Sequence, residues 1–119
     1  MTWNIVEQEI RIQIKPNKAR ILKCVGTARR PVITNDGVKI GMKTGVQTNQ
    51  TKAITYDMIK YAYDTLIQKG MFDSRDFRKN YNGEYKDAPC RYSMVGGILV
   101  ELGIARRIST GRSCNYQKI

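Results

Sequence analysis

Histidine is absent from this chain, which removes histidine-based triads, imidazole metal sites and nucleases that use a histidine base. Cysteine is scarce and odd in number: Cys24, Cys90 and Cys114 contain no Cys-x-x-Cys pair. Disulfide frameworks and zinc ribbons need even or clustered sets, so reduced thiols and a cytoplasmic location are expected. No apolar run approaches the roughly 18 residues of a membrane span. Glu7 and Glu9 precede any apolar stretch, so no signal peptide is expected. Glu84 and Lys86, with Asp73 or Asp76 upstream, faintly echo the acid-x-Lys pattern of metal-dependent nucleases. They fall beside Gly83 in an expected loop, however, whereas such a metal needs carboxylates on a rigid sheet. No catalytic centre, metal or cofactor is expected. Cys90 beside Arg91 reads as a helix opening with a half-buried thiol.

Acidic residues are also few. Ten Asp and Glu face 21 Lys and Arg, for a net charge of +11. Both halves share the excess: 10 basic and 3 acidic residues up to Ile54, then 11 and 7. A polyphosphate partner would explain it, because each neutralised phosphate releases counterions. A membrane-surface role is not expected, since no amphipathic helix with a Lys/Arg face stands out. With 41% hydrophobic residues the chain is apolar enough to fold, and its length suits one domain or two subdomains sharing a core.

Periodicity divides the chain near Ile54. Before it, Ile10, Ile12 and Ile14 alternate with polar residues, which predicts a strand. Pro16-Asn17 breaks that run, and residues 21–25 resume it. Val32-Ile33-Thr34 and residues 38–42 flank Asn35-Asp36-Gly37, a hairpin signal because the turn needs positive φ. Residues 44–52 read as a loop. After Ile54 the period turns helical. Thr55 is an N-cap and Asp57 suits the first turn. Met58, Ile59, Ala62, Tyr63, Leu66 and Ile67 share a face, and Gly70 ends the helix. A short second helix is expected at residues 74–81, then a loop at 82–87. A third helix opens near Pro89 and stops at Gly103, with Met94, Val95, Ile98, Leu99 and Leu102 as its buried stripe. Residues 104–108 and 114–119 read as two strands joined through Ser109-Thr110-Gly111-Arg112.

Three helices followed by a hairpin with Gly111 and Arg112 at its tip resemble a winged helix-turn-helix domain. The resemblance rests on element order and on Leu102-Gly103-x-x-Arg106-Arg107 leading from helix to wing. It implies that residues 93–102 enter the major groove and that residues 109–113 form the wing tip. Arg91, Arg106, Arg107, Arg112 and Lys118 would then contact phosphate. The third helix departs from such a reader, offering Ser93, Gly96, Gly97 and Val100 opposite its stripe rather than Arg, Asn, Gln or Lys. Gly96 and Gly97 imply a close approach there, either to phosphate or to another packed element, in this chain or in a second copy. Backbone contact through Arg91, Tyr92 and the wing is therefore expected over base reading.

Outside that resemblance, Arg29 and Arg30 form a basic turn at the sheet edge. Lys39 and Lys43 face outward on the hairpin, and Lys15, Lys18 and Arg20 cluster in another turn. Tyr56 and Tyr63 read as core, while Tyr61 and Tyr85 read as contact residues. The expected protein is α+β: an N-terminal antiparallel sheet of four or five strands (residues 1–54) on a C-terminal winged-helix-like unit (55–119). Its expected role is non-enzymatic nucleic-acid binding, to duplex DNA ahead of RNA, with a homodimer as an option and no membrane partner. The alternative is an oligomerising interaction module that binds a protein or small ligand.

Overall fold

Trp3, Val6, Ile10 and Ile14 recur at three- and four-residue intervals, and this spacing decides the N-terminal segment. The computed structural model describes residues 2–119, and in it Trp3–Gln13 form helix α1 rather than the expected strand. Val6, Ile10 and Ile14 are fully buried, while Ile12 is 59% exposed. The alternation of Ile10, Ile12 and Ile14 thus reflects one exposed isoleucine on a helix, not the two faces of a strand. The Asn35 amide closes the helix end by donating to the Ile14 carbonyl (2.9 Å), and its oxygen accepts from the Tyr56 hydroxyl (2.6 Å).

Four strands follow: β1 (Arg20–Leu22), β2 (Arg29–Asn35), β3 (Lys39–Lys43) and β4 (Thr51–Thr55). They form an antiparallel sheet in the order β1-β2-β3-β4. Directly opposed residues share a face, so the pairs Ile21–Arg30, Val32–Met42 and Ile40–Ile54 define the inner one. Arg20–Pro31, Lys39–Thr55, Gly41–Ala53 and Lys43–Thr51 define the outer one. The β2–β3 turn is built as expected. Gly37 has φ 86°, and the Asp36 carboxylate accepts from the Val38 and Lys39 amides.

The second half runs α2 (Tyr56–Lys69), β5 (Met71–Phe72), α3 (Ser74–Asp87), α4 (Cys90–Glu101), β6 (Ala105–Ser109) and β7 (Cys114–Lys118). The Thr55 hydroxyl caps α2 by accepting from Met58 N–H, and Gly70 ends it at φ 78°. Helix α3 continues through the expected loop at 82–87, with a break in helical geometry at Tyr81. Phe77, Tyr81 and Tyr85 pack inward along it, holding both segments against the core. Strand β5, absent from the sequence reading, adds to the hairpin in the order β5-β7-β6.

Buried apolar side chains from both halves form one cluster. Three further links join the halves at the β1–β2 end of the sheet. A disulfide joins Cys24 to Cys114, 90 residues apart in sequence. The Arg107 guanidinium donates to the Lys23 and Gly26 carbonyls at 2.9 and 2.6 Å, and Arg29 pairs with Glu101 at 3.2 Å. The expectation of three reduced thiols is therefore corrected: only Cys90 is free. Partners so distant in sequence leave no spacing signature. Among the described residues no helix is long and apolar enough to cross a membrane.

Candidate nucleic-acid interface

Helix α4, expected to read the major groove, is sealed inside the protein. Every residue from Tyr92 to Leu99 is buried, as suits a helix apolar on all sides. Its glycines face this chain's own elements. A Cβ on Gly96 would sit 2.0 Å from the Tyr116 ring. One on Gly97 would sit 2.3 Å from Ile21 Cγ2 and 2.9 Å from the Leu22 carbonyl oxygen. The close approach thus serves β7 and β1, neither phosphate nor a second copy. Replacing an exposed helical glycine by alanine would stabilise by about 1 kcal/mol. Here Gly96→Ala is expected to destabilise by about 1–3 kcal/mol through overpacking, measured by denaturant unfolding. A gain in stability would mean that the Tyr116 ring can move aside.

The expected contact residues scatter. Tyr92 and Ser93 are each 3% exposed and so are corrected as contacts. The Tyr92 hydroxyl donates to the Cys114 carbonyl, and that of Ser93 to the Cys90 carbonyl. Burial pushes the Tyr92 and Tyr116 phenols well above their ordinary range. Arg30 is also corrected. It is 4% exposed, points inward from β2, and donates from Nε to the Thr44 carbonyl. Desolvation lowers its pKa. Arg91 binds Asp87 and the Ala53 and Glu84 carbonyls, so it joins α3, α4 and β4 rather than facing out. Arg107 is spent on the β1–β2 connection, and Arg29 on Glu101. Tyr61, expected at the surface, donates to the Asp76 carbonyl. Lys39, Arg106, Arg112 and Lys118 are exposed. Lys118 borders an apolar pocket with Tyr63, Ile67 and Ile104.

A basic surface missed in the sequence stands on α3. Arg75, Arg78, Lys79, Asn82 and Lys86 are all exposed, with Phe77 and Tyr81 turned to the core and Tyr85 at the border of the stripe. Arg75, Arg78, Lys79 and Asn82 together line one open depression. None of the four lies in an ion pair among the described residues. The Arg78 guanidinium sits 5.1 Å from the centroid of the Tyr85 ring, a cation–π contact that steers it without neutralising it. The spacing 75, 78/79, 82, 86 is the signal that could have revealed this stripe.

Two carboxylates near this surface are turned away from it. Asp73 and Asp76 form a reciprocal capping box at the start of α3, and Lys69 donates to the buried Asp76 carboxylate at 2.6 Å. Burial raises the Asp76 pKa, but the Lys69 ammonium and the Asp73 amide outweigh it and hold the carboxyl below its ordinary range. A depressed folded pKa contributes stability above the unfolded value and loses it as pH falls through the folded one. Asp76→Asn is thus expected to cost about 1–2 kcal/mol at neutral pH, with the gap to wild type closing below about pH 4. Thermal melts across pH test this, and a gap indifferent to pH would show that the charge plays no part.

The register of the second sheet places α3 beside the hairpin tip. Phe72 pairs with Tyr116, and β5 runs antiparallel to β7, so the chain leaving Phe72 heads toward Cys114 and the tip at residues 110–113. The Tyr92 hydroxyl, bonded to both the Phe72 and Cys114 carbonyls (3.4 and 2.9 Å), confirms how close these strand ends lie. Arg112 and the first turn of α3 therefore share one end of the sheet. Comparison with family models, curated proteins and solved structures finds no match.

Proposed function

We propose that the protein binds nucleic acid without catalysis, by contacts to the phosphate backbone from α3 and the hairpin tip. The observation that carries this reading is the depression lined by Arg75, Arg78, Lys79 and Asn82, free of ion pairs. An array of unpaired cations on one helix face suits phosphate, and Asn82 adds a neutral amide donor. The helix–helix–helix–hairpin order of residues 56–118 supports a winged-helix-like unit, and on that order duplex DNA ranks ahead of RNA. The unit is used unusually in this reading. The N-terminal sheet covers the face of α4 that would meet bases, so discrimination between sequences is weak. Gly96 and Gly97 are occupied within the chain and give no reason for a homodimer.

The Cys24–Cys114 bond does not suit the cytoplasmic location expected from the sequence, because cytosolic reductants keep most thiols reduced.

Fluorescence polarisation on duplexes of unrelated sequence tests the function. Arg112→Ala is expected to weaken binding several-fold and equally on each duplex, without a change in melting temperature. Loss on one sequence alone would contradict a backbone-only mode, and failure of the wild type to bind any duplex at low salt would end the proposal.

A further inference from the structure

On the outer face of the four-stranded sheet every residue from Arg20 and Pro31 to Thr51 and Ala53 is exposed or half-buried, and none is buried. Helices α2 and α4 pack on the inner side, where Ile21, Val32, Ile40, Met42 and Ile54 are fully buried. Strands β1 to β4 contain no Asp or Glu. On the outer face the register sets Arg20 opposite Pro31, and Lys43 opposite Thr51. Pro31 adjoins the Val32–Met42 pair, so Arg20 and Lys43 lie two strands apart in one row, about 10 Å. Lys39 stands four residues back along β3, about 13 Å from Lys43. Between them the floor is low: Gly41 faces Ala53, and the Thr34 hydroxyl lies over Gly41, accepting from its amide at 3.1 Å. A Cβ at Gly41 would fall 2.6 Å from that hydroxyl, so the smallest side chain is required there.

Charge decides what such a face fits. Arg20, Lys39 and Lys43 are in no ion pair among the described residues. Two carboxylates lie at the margins of this face and both are engaged: Asp36 accepts from the Val38 and Lys39 amides, and Glu101 pairs with Arg29 at the β1–β2 edge. A shallow floor ringed by separated cations, with no acidic group on its strands, complements a phosphate backbone. An acidic protein surface would need pockets for its side chains, and the floor of Gly41, Ala53 and Thr34 has none. This face is also distinct from the one on α3. Helix α4 and the aromatic cluster of Phe72, Phe77 and Tyr92 lie between the two.

The geometry points to a second nucleic-acid surface on the outer face of the four-stranded sheet, so that one molecule bridges two duplexes. The inference rests on the binding function proposed above and extends it from holding one duplex to joining two. A single chain suffices, with no dimer.

A co-retention experiment tests it. A biotinylated duplex on beads is mixed with a fluorescent duplex of unrelated sequence and the full chain, and fluorescence on the beads is read. The wild type is expected to retain the fluorescent duplex while sedimenting alone as a monomer. Lys39→Glu/Lys43→Glu, both surface positions, is expected to melt like the wild type. It should keep binding a single duplex within a few-fold by polarisation and lose co-retention at least tenfold. Wild type that binds one duplex but never co-retains the second overturns the bridging inference and leaves the α3 surface standing. Co-retention that survives in the double variant assigns bridging to another face and overturns it equally. Absence of any duplex binding by the wild type removes the function on which the inference rests.

Discussion

Reduction of the Cys24–Cys114 bond is expected to cost the protein about 4–5 kcal/mol of stability, the chain-entropy value for a closed loop of this length. The bond spans 90 residues, so nearly the whole fold lies within the loop, and its opening frees the unfolded chain far more than a local staple would. The native state should change little, because Arg107 still holds the Lys23 and Gly26 carbonyls and Arg29 still reaches Glu101. The prediction is thus a large fall in melting temperature on adding dithiothreitol, with an unchanged circular dichroism spectrum at low temperature. Cys24→Ser/Cys114→Ser should melt like the reduced wild type and be insensitive to reductant. A wild type that melts alike with and without reductant would show that the two thiols do not pair in solution. Cys90→Ser, which leaves the pair intact, should retain the sensitivity.

Neutralisation of the α3 cations carries the second large effect. Arg75→Gln/Arg78→Gln/Lys79→Gln removes three charges that have no ion-pair partner among the described residues, so the fold has little reason to notice. Each phosphate contact contributes about 0.9 to the salt slope. Losing three should therefore weaken binding at the α3 surface, read in the Lys39→Glu/Lys43→Glu background, about 10²–10³-fold near 0.1 M salt and flatten the slope by ~2.7. The loss should be equal on unrelated sequences. The matching substitution of buried or spent cations should behave in the opposite way. Arg91→Gln is expected to unsettle the α3–α4–β4 junction, where its guanidinium meets Asp87 and two carbonyls, and to lower stability before affinity. If Arg91→Gln weakens binding more than the triple variant at equal stability, phosphate is meeting the N-terminus of α4 instead.

How much of this was legible in the residues depends on whether a signal is local. Asp36-Gly37, Thr55, Gly70, Pro89 and Gly103 each act within a few positions, and the turn, cap and helix limits they mark all appear where expected. The helical stripe of α2 is legible for the same reason, though Ile67 at its far end is 44% exposed. The misread segments are those where two periods compete. Ile10, Ile12 and Ile14 fit a strand until Trp3 and Val6 are counted with them. The second helix breaks at Tyr81, where its end was expected, but Gly83 suggested a loop and a further helical segment follows instead, with Tyr81 and Tyr85 held in the aromatic cluster. The disulfide, strand β5 and the burial of α4 are long-range facts, and no window of sequence contains both partners.

The site was legible in charge and not in place. Net charge of +11 is the signal from which a polyanion partner is proposed, but it does not say which cations are free. Arg30, Arg91 and Arg107 turned inward to donate to carbonyls at strand ends and loops, whereas Arg75, Arg78 and Lys79 stay exposed, Arg78 resting on the Tyr85 ring. The glycine pair on α4 was the one feature in the sequence that demanded a close neighbour. The neighbour is Tyr116 on one side and β1 on the other, and this packing closes the helix to nucleic acid.

That α4 stays enclosed while α3 and the hairpin tip meet phosphate is tested most directly by backbone amide NMR during titration with a short duplex. The expected result is shifts concentrated at residues 75–86 and 110–113, and at the outer sheet face around Arg20, Lys39 and Lys43, with residues 92–99 unmoved as saturation is reached. Shifts spread through residues 92–99 would contradict it, since they would mean that the N-terminal sheet lifts away and α4 itself engages the duplex.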